Sequence, residues 1–383
     1  MTPPFAPPRN SSAPQQRIPL PTPEPVPDQA TYLAEREKAL AFSDARAENY
    51  RRYLAARRGE QLDYLPVKMD IENVSRCNFR CTMCTVSDWP KGRRANDLSL
   101  ADFKRLIDEQ YGVVEIKLQG IGEPLMQGDD FFEMIRYARG KCIWVRTTTN
   151  ASLLHLRDNH RKLIDSGVNE VQISIDGADS ETFESIRRGA VFPQVIENCK
   201  LINGYCRDQG IDRTKMWTVV QQANRHQLFQ LVELAAETRF SNMVFGLNLT
   251  DWGLADWRRK NDAVTVEGNI AADIVERLIA RGNELGVKVR FWTIAHKYDT
   301  RDPSTLCPWP FERAYYSSDG RVVPCCMIGN PEVYEVAEPG AANFSEIWKG
   351  SAYRAFRRAH IEGNPPPVCV NCYRRRTANG GGK

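Results

Sequence analysis

Two groups of cysteines in this 383-residue chain have the spacing of metal ligands. The first is Cys77-Asn-Phe-Arg-Cys81-Thr-Met-Cys84, three thiols on one short segment with no fourth cysteine near them in sequence. A closed tetrahedral zinc site takes four ligands, commonly in C-x2-C pairs. Three thiolates spaced C-x3-C-x2-C suit three corners of a four-iron cluster, whose fourth iron then stays open to a ligand that is not protein. The second group is Cys307, Cys325 and the pair Cys369-Val-Asn-Cys372, a complete set of four for either a second cluster or a zinc ion. Cys326, beside Cys325, is left over and reads as a core thiol, an alternative ligand or a reactive group. Cys142, Cys199 and Cys206 fall in strand or helix patterns and read as buried structural thiols.

Met1-Thr-Pro-Pro-Phe-Ala-Pro-Pro has neither the basic nor the apolar region of a secretory signal, and no segment approaches the ~18 uncharged apolar residues that span a bilayer. A reducing cytoplasm is therefore expected, with no membrane association, and there clustered cysteines hold metal in preference to disulfides. The 52 basic and 48 acidic residues balance to +4, too even for the footprint of a nucleic-acid-binding protein and compatible with a mildly anionic substrate.

Residues 1 to 28 hold ten of the 23 prolines and lack the apolar content to offset ordering entropy, so a disordered tail is expected over 1–29. Leu33, Leu40, Ala47 and Leu54 recur every seven residues, predicting one helix within 30–62 that packs on the outside of the next domain. From there apolar runs alternate with amphipathic stretches. Strands are predicted at Lys68 to Val74, Val113 to Leu118, Cys142 to Thr148, Glu170 to Ile175, Lys215 to Val220 and Met243 to Leu249, with helices such as Leu100 to Gln110, Phe131 to Arg139, Pro193 to Gln209 and Leu228 to Glu237 between them. Six such alternations over 63–250 predict an α/β fold with a parallel sheet, either open or closed into a barrel. A helix near Ala271 to Leu285 and a strand at Val287 to Trp292 form a bridge over 251–306. The segment 307–383 loses periodicity and gains Cys, Pro, Gly and Arg, as where metal ligation replaces an apolar core.

Polar motifs fall at the carboxyl ends of these strands: the first thiols after strand one, Gly120-Ile-Gly122-Glu123-Pro124 after strand two, Thr148-Thr149-Asn150 after strand three and Ser174-Ile175-Asp176-Gly177 after strand four. Glycines allow close backbone approach to a ligand. Short polar side chains there serve a ligand or, as commonly, a turn or cap.

Arg76 to Cys84, with Gly120 to Pro124 following 36 residues after Cys84, resembles the signature of the radical S-adenosylmethionine (SAM) enzymes, although many members carry an aromatic residue where Met83 stands. The tail resembles the SPASM/twitch module of the same enzymes through Cys307, Gly320-Arg-Val-Val-Pro-Cys325, Ile328-Gly-Asn330, Glu346-Ile-Trp-Lys-Gly and Cys369-x2-Cys372, so the resemblance runs from Val67 to Cys372. It implies a partial (β/α)6 TIM barrel followed by a small cysteine-rich domain. It also implies a [4Fe-4S] cluster on Cys77, Cys81 and Cys84 whose open iron chelates SAM. Gly120, Gly122, Glu123 and Pro124 would then meet the SAM amino group, Asn150, Ser174 and Asp176 its ribose or carboxylate or the substrate, and Arg187 its carboxylate, unless Arg187 is a solvated helix charge. No cysteine follows Cys372, so one auxiliary [4Fe-4S] cluster on Cys307, Cys325, Cys369 and Cys372 is expected. Cys326 would be a candidate hydrogen-atom donor, the role a free cysteine has in some family epimerases.

The activity so implied is a 5′-deoxyadenosyl radical, driven by a flavodoxin- or ferredoxin-type electron donor, that abstracts hydrogen from the substrate. The single auxiliary cluster resembles that of aminocyclitol dehydrogenases and sugar-modifying enzymes, which points to oxidation, epimerisation or decarboxylation of a small polar metabolite. The alternative is a peptide-modifying maturase of the kind acting on ribosomally made peptides. A reading of another class is a zinc-bearing adaptor or nucleic-acid-binding protein built on Cys369-x2-Cys372 and Tyr373-Arg-Arg-Arg. Trp89, Trp252, Trp257, Arg258 and Arg259 are candidates for a substrate wall.

Overall fold

In the structure, a computed structural model, residues 29–89, 94, 96–266, 270–293 and 297–373 are described. The proline-rich tail over 1–28 and the arginines at 374–376 lie outside them.

The strand-helix alternation folds into β1 (Lys68–Ile71), β2 (Glu115–Leu118), β3 (Trp144–Thr149), β4 (Glu170–Ser174), β5 (Thr214–Val219), β6 (Asn242–Gly246) and β7 (Lys288–Trp292), to which the cysteine-rich segment adds β8 (Arg313–Tyr316) and β9 (Val322–Val323). The helices are α1 (Gln29–Ala41), α2 (Asp44–Ala55), α3 (Leu100–Glu109), α4 (Asp129–Gly140), α5 (Asn159–Asp165), α6 (Ser180–Ile186), α7 (Phe192–Asp208), α8 (Leu228–Glu237), α9 (Ala255–Asp262), α10 (Ala272–Glu284), α11 (Trp309–Glu312), α12 (Phe344–Lys349) and α13 (Ser351–Ile361).

Sheet order is β9-β8-β1-β2-β3-β4-β5-β6-β7, parallel from β8 through to β7, with β9 antiparallel on β8. The bridge strand and the tail strand thus extend the six-stranded core at its two edges. Alternate side chains divide two environments. Met69, Ile71, Ile116, Leu118, Val145, Val171, Ile173, Met216 and Phe245 are fully buried in the apolar layer shared with the helices. The opposite register points Asp70, Lys117, Arg146, Gln172, Lys215, Gly246, Trp292 and Tyr315 at one cavity. All eight parallel strands reach that cavity, so the sheet curls around it as a barrel open between β7 and β8.

The single helix expected over 30–62 is two. Ser43 breaks it, its hydroxyl capping α2 by accepting from the Arg46 N–H at 3.3 Å. The seven-residue apolar stripe is not the packing face: Leu54 is 66% exposed, while Arg46 is buried and donates to the carbonyls of Tyr111, Ala39 and Lys141. Tyr32 of α1 donates to Glu115 at 2.8 Å and packs edge-on against Trp144. Glu115 and Trp144 begin their strands, so this helical pair closes the amino end of the barrel by polar contacts that apolar periodicity does not register.

The tail is anchored to the barrel. Trp348 of α12 is fully buried and donates to the Tyr64 carbonyl at 3.0 Å, and Arg357 of α13 lies 4.3 Å over its ring while donating to the carbonyls of Pro310 and Trp348.

Candidate active site

The first three thiols lie beyond the carboxyl end of β1, in a loop stitched to a later segment by a two-residue ribbon in which Arg80–Cys81 pairs with Arg187–Arg188. The ribbon sets the Arg187 side chain beneath the loop: one guanidinium nitrogen is 4.0 Å from the Cys81 sulfur and another 2.7 Å from an Asp176 oxygen. Arg187 is 7% exposed, so it is not a solvated helix charge. Burial alone would lower its pKa, but Asp176 and the thiols outweigh this and raise it, leaving a fixed cation. The Phe79 N–H donates to the Cys77 sulfur at 3.4 Å and the Asn150 amide approaches it at 3.9 Å. Burial nonetheless pushes the Cys77 thiol up to about 12 and raises Cys81 and Cys84. Three thiols that line one compartment and interact with one another, beside a buried guanidinium, have the donor chemistry for three corners of a four-iron cluster.

The glycines after β2 are required by close approach. A Cβ on Gly122 would meet the Arg76 and Val74 carbonyl oxygens at 2.3 and 2.6 Å, and one on Gly120 would meet the Glu72 side chain at 2.0 Å. Glu123 is buried and knits two strand ends together, accepting from the Asn150 N–H at 2.8 Å, the Thr149 hydroxyl at 2.6 Å and the Leu125 N–H at 3.3 Å. Burial pushes its pKa up to about 7 against these donors.

Cys77, Cys81, Cys84, Gly120, Gly122, Glu123, Asn150, Ser174 and Arg187 all line one compartment, of about 240 Å³, at the carboxyl ends of β1 to β5. Pro124 and Asp176 stand behind it. The Pro124 carbonyl accepts from Asn73, and Asp176, wholly buried, accepts from the Val219 N–H at 2.7 Å while holding Arg187. The Thr148 hydroxyl, which lines the same compartment, has no hydrogen-bond partner among the described residues.

A second compartment of about 210 Å³ lies deeper and shares Gln119, Gly120, Gln172, Trp217 and Trp252 with the first. Its base is Asp70, Lys117, Arg146 and Lys215, its wall Trp217, Trp292 and Tyr315, and its far side Cys326 and Met327. Cys326 therefore faces the cavity.

The second cysteine set gathers from three segments. Gly320, at φ +80°, makes the turn between β8 and β9 that delivers Cys325. The Tyr373 hydroxyl accepts from the Cys307 N–H at 3.0 Å and is 2.7 Å from His360, and the Cys372 carbonyl accepts from the Tyr298 N–H. Burial, reinforced by the neighbouring thiols, pushes Cys307 and Cys325 up to about 12 and raises Cys369 and Cys372 as well. Among the described residues no three His, Cys, Asp or Glu side chains close on one point as the ligands of a single ion do. Four mutually interacting, half-buried thiols have the donor chemistry of a closed cluster site.

Of the expected substrate wall only Trp252 borders the cavity. Trp257 is buried under Lys260, Arg258 pairs with Asp251, Arg259 pairs with Asp256 at the surface, and Trp89 lies beneath Arg94. The residues missed are Lys117, Trp217, Trp292 and Tyr315. Their signal was present as charged or large polar residues at alternate positions of strands that, if buried on both faces, would be apolar throughout.

Residues 73–235 match the Radical SAM superfamily, and residues 307–373 match SPASM, an iron-sulfur cluster-binding domain. The chain is 36% identical over 147 residues to the GTP 3′,8-cyclase of Aliarcobacter butzleri, a match covering 36% of this chain and 42% of that protein, less than half its length. It is 23% identical over 322 residues to the PqqA peptide cyclase of Bradyrhizobium diazoefficiens, covering 83% and 81% respectively. Its fold is that of Streptococcus suis SuiB bound to precursor peptide SuiA, with a TM-score of 0.58, 17% identity and coverage of 86% and 70%, and of anSMEcpe with bound AdoMet and Cp18Cys peptide, with a TM-score of 0.54, 16% identity and coverage of 77% and 83%.

Proposed function

We infer that this chain, a radical SAM enzyme with a C-terminal SPASM domain, removes hydrogen from a residue of a peptide. Its two domains bind a [4Fe-4S] cluster with SAM and an auxiliary iron-sulfur cluster, and when bound these groups supply one-electron cleavage of SAM, hydrogen-atom abstraction and a second electron-transfer site. The protein's own part is to position, orient and exclude water. Cys77, Cys81 and Cys84 hold the first cluster, and Cys307, Cys325, Cys369 and Cys372 the second. Gly120, Gly122 and Glu123 receive the SAM amino group, which Pro124 supports from behind by setting the turn. Asn150, Ser174 and Arg187 meet the ribose and carboxylate, and Asp176 fixes Arg187. The lining of the outer compartment supports these roles. Cys326, on the inner wall, is the thiol nearest the substrate. An external donor of the flavodoxin or ferredoxin type supplies the first electron.

The observation that carries the peptide reading is the reach of the match to the PqqA peptide cyclase, which runs through 83% of this chain and so through both domains. The cavity is compatible with it. The inner compartment of about 210 Å³ is smaller than the ~300–1,000 Å³ that encloses a drug-sized ligand. It has room for one side chain, the remainder of a longer ligand lying outside it. The small sugar-like or aminocyclitol substrate expected from the number of tail cysteines gives way to this reading.

The test is anaerobically reconstituted protein with SAM and dithionite, offered mixed synthetic peptides, GTP, aminocyclitols and nucleotide sugars in separate reactions. A peptide mixture that raises 5′-deoxyadenosine formation and yields products lighter by two hydrogens supports the reading. Acceleration by GTP or a sugar with none by peptides overturns it.

A further inference from the structure

The inner compartment has a charged base, and its charges are not evenly matched. Lys117 on β2 stands level with Asp70 on β1 and Arg146 on β3. Arg146 pairs with Glu115 at 3.1 Å, Lys215 pairs with Glu170, and Asp70 is held by Arg313 at 3.4 Å. Lys117 is different: half-buried and on the cavity wall, it has no carboxylate within ion-pair distance among the described residues. It also lies near enough to Lys215 to repel it. A cation facing an enclosed space with a like charge beside it favours an incoming anion, because solvent screens the pair poorly there.

The surroundings define that anion further. The wall above Lys117 carries Gln119 and Gln172 as amides and Trp217, Trp292 and Tyr315 as aromatic faces. Tyr315 is 2% exposed, and its hydroxyl and the Trp292 N–H have no hydrogen-bond partner among the described residues, while the Gln119 amide N–H already donates to the Gly120 carbonyl. A buried donor left unpaired is costly, so the Tyr315 hydroxyl and the Trp292 N–H favour a ligand that accepts from them. One unmatched ammonium balances one negative charge, and neutral donors complete the second oxygen of a carboxylate. A phosphate, with more charge and more oxygens, would call for further free cations or a fork of guanidinium donors.

We propose that the base of the inner compartment is a carboxylate subsite, in which Lys117, with the Tyr315 hydroxyl, receives an acidic side chain or a chain-terminal carboxylate of the substrate. This rests on the peptide reading for its ligand class, but the subsite itself follows from the cavity. Its effect is to choose the residue that enters. The reacting carbon is then one on the same or an adjacent residue, held between the two cysteine sets.

The experiment uses three pools of pentapeptides with randomised flanks: capped with Glu at the centre, capped with Gln at the centre, and Gln-centred with a free carboxyl terminus. Each is offered to the reconstituted full chain, and 5′-deoxyadenosine above the peptide-free background is recorded. The wild type is expected to favour the Glu pool, or the free-terminus pool, over capped Gln by about tenfold, the discrimination of a charge-assisted hydrogen bond. Which of those two pools leads identifies the source of the carboxylate. In Lys117→Met the ratio is expected to fall to about one, and in Lys117→Arg to persist. A ratio is insensitive to any general loss of rate, and if Lys117→Met does not fold, Lys117→Gln replaces it. Equal use of all three pools by the wild type, or an unchanged ratio in the lysine variant, overturns the subsite and leaves the peptide reading standing. Inactivity of every peptide with Lys117-dependent acceleration by a small carboxylate such as succinate overturns the peptide reading and leaves the subsite.

Discussion

Glu72 joins parts of the chain that are far apart in sequence, and its removal has a calculable effect. The side chain is wholly buried just past β1 and accepts from Arg94 at 2.5 Å, from the Ile121 N–H at 3.1 Å and from both the N–H and the hydroxyl of Ser318 at 3.1 Å. One carboxylate thus fixes the glycine loop at the candidate SAM site and the turn that leads to Cys325. Glu72→Gln keeps the shape, abolishes the charge and leaves the Arg94 guanidinium, whose side chain is 2% exposed, with Asp319 at 3.5 Å as its remaining counter-ion. Orphaning a buried ion costs about 3–5 kcal/mol, and the residual attraction to Asp319 brings the expectation to about 2–3 kcal/mol. Urea unfolding of Glu72→Gln, Arg94→Met and the double variant, under identical anaerobic conditions, measures it. The double variant is expected to be more stable than the sum of the single losses allows, by a coupling of about 2 kcal/mol. 5′-Deoxyadenosine formation is expected to fall in Glu72→Gln because the amide keeps one acceptor oxygen and cannot satisfy both the Ile121 N–H on one side and the Arg94 and Ser318 donors on the other. Additive losses within about 0.5 kcal/mol would refute the reasoning, since distant independent sites behave that way.

Other outcomes follow from the same geometry. Replacing Cys77, Cys81 and Cys84 together by Ala is expected to abolish SAM cleavage while about four irons per chain remain, the content of one four-iron cluster; iron and acid-labile sulfide analysis checks both. Cys369→Ala with Cys372→Ala is expected to remove about four irons and leave SAM binding measurable by calorimetry. Gly122→Ala drives a Cβ to 2.3 Å from a backbone oxygen of Arg76, so SAM binding is expected to be lost with little change in circular dichroism. Burial lowers the His360 pKa to about 4. The unfolded chain therefore binds a proton between about pH 6.5 and 4 that the folded chain refuses, and stability is expected to fall across that window by up to about 3 kcal/mol. Denaturation of His360→Phe as a function of pH is expected to show a flatter acid limb.

The strands were legible because each apolar run is bounded by turn residues, and β1 to β6 appear within a few residues of their expected bounds. The cysteine spacing and the Gly-x-Gly-Glu-Pro run named the groups that line the outer compartment, since those residues are contiguous and sit at strand ends. What stayed hidden was carried by contacts across the chain. The Arg187 guanidinium finds Asp176 and Cys81 only because a two-residue ribbon folds back on the cysteine loop, and no local pattern encodes such a ribbon. The α1–α2 pair was misread as one helix because Arg46 and Tyr32, which make its decisive contacts, are polar and so invisible to apolar periodicity. Lys117 was overlooked because a lysine within a strand reads as a solvent-facing residue, unless the alternation is followed through five strands at once.

The pairing of β8 with β1 bears on how the chain is made. β1 is synthesised early, yet one of its two neighbours lies some 240 residues downstream. At the ~5–20 residues per second of translation, about 10–50 s separate the two strands. Throughout that interval the outer edge of β1 is an unsatisfied template for a foreign strand. The auxiliary segment thus also supplies the barrel strand that covers this edge. A chain cut short at residue 306 would carry all three proposed ligands of the first cluster and still be prone to aggregate at the bare edge of β1.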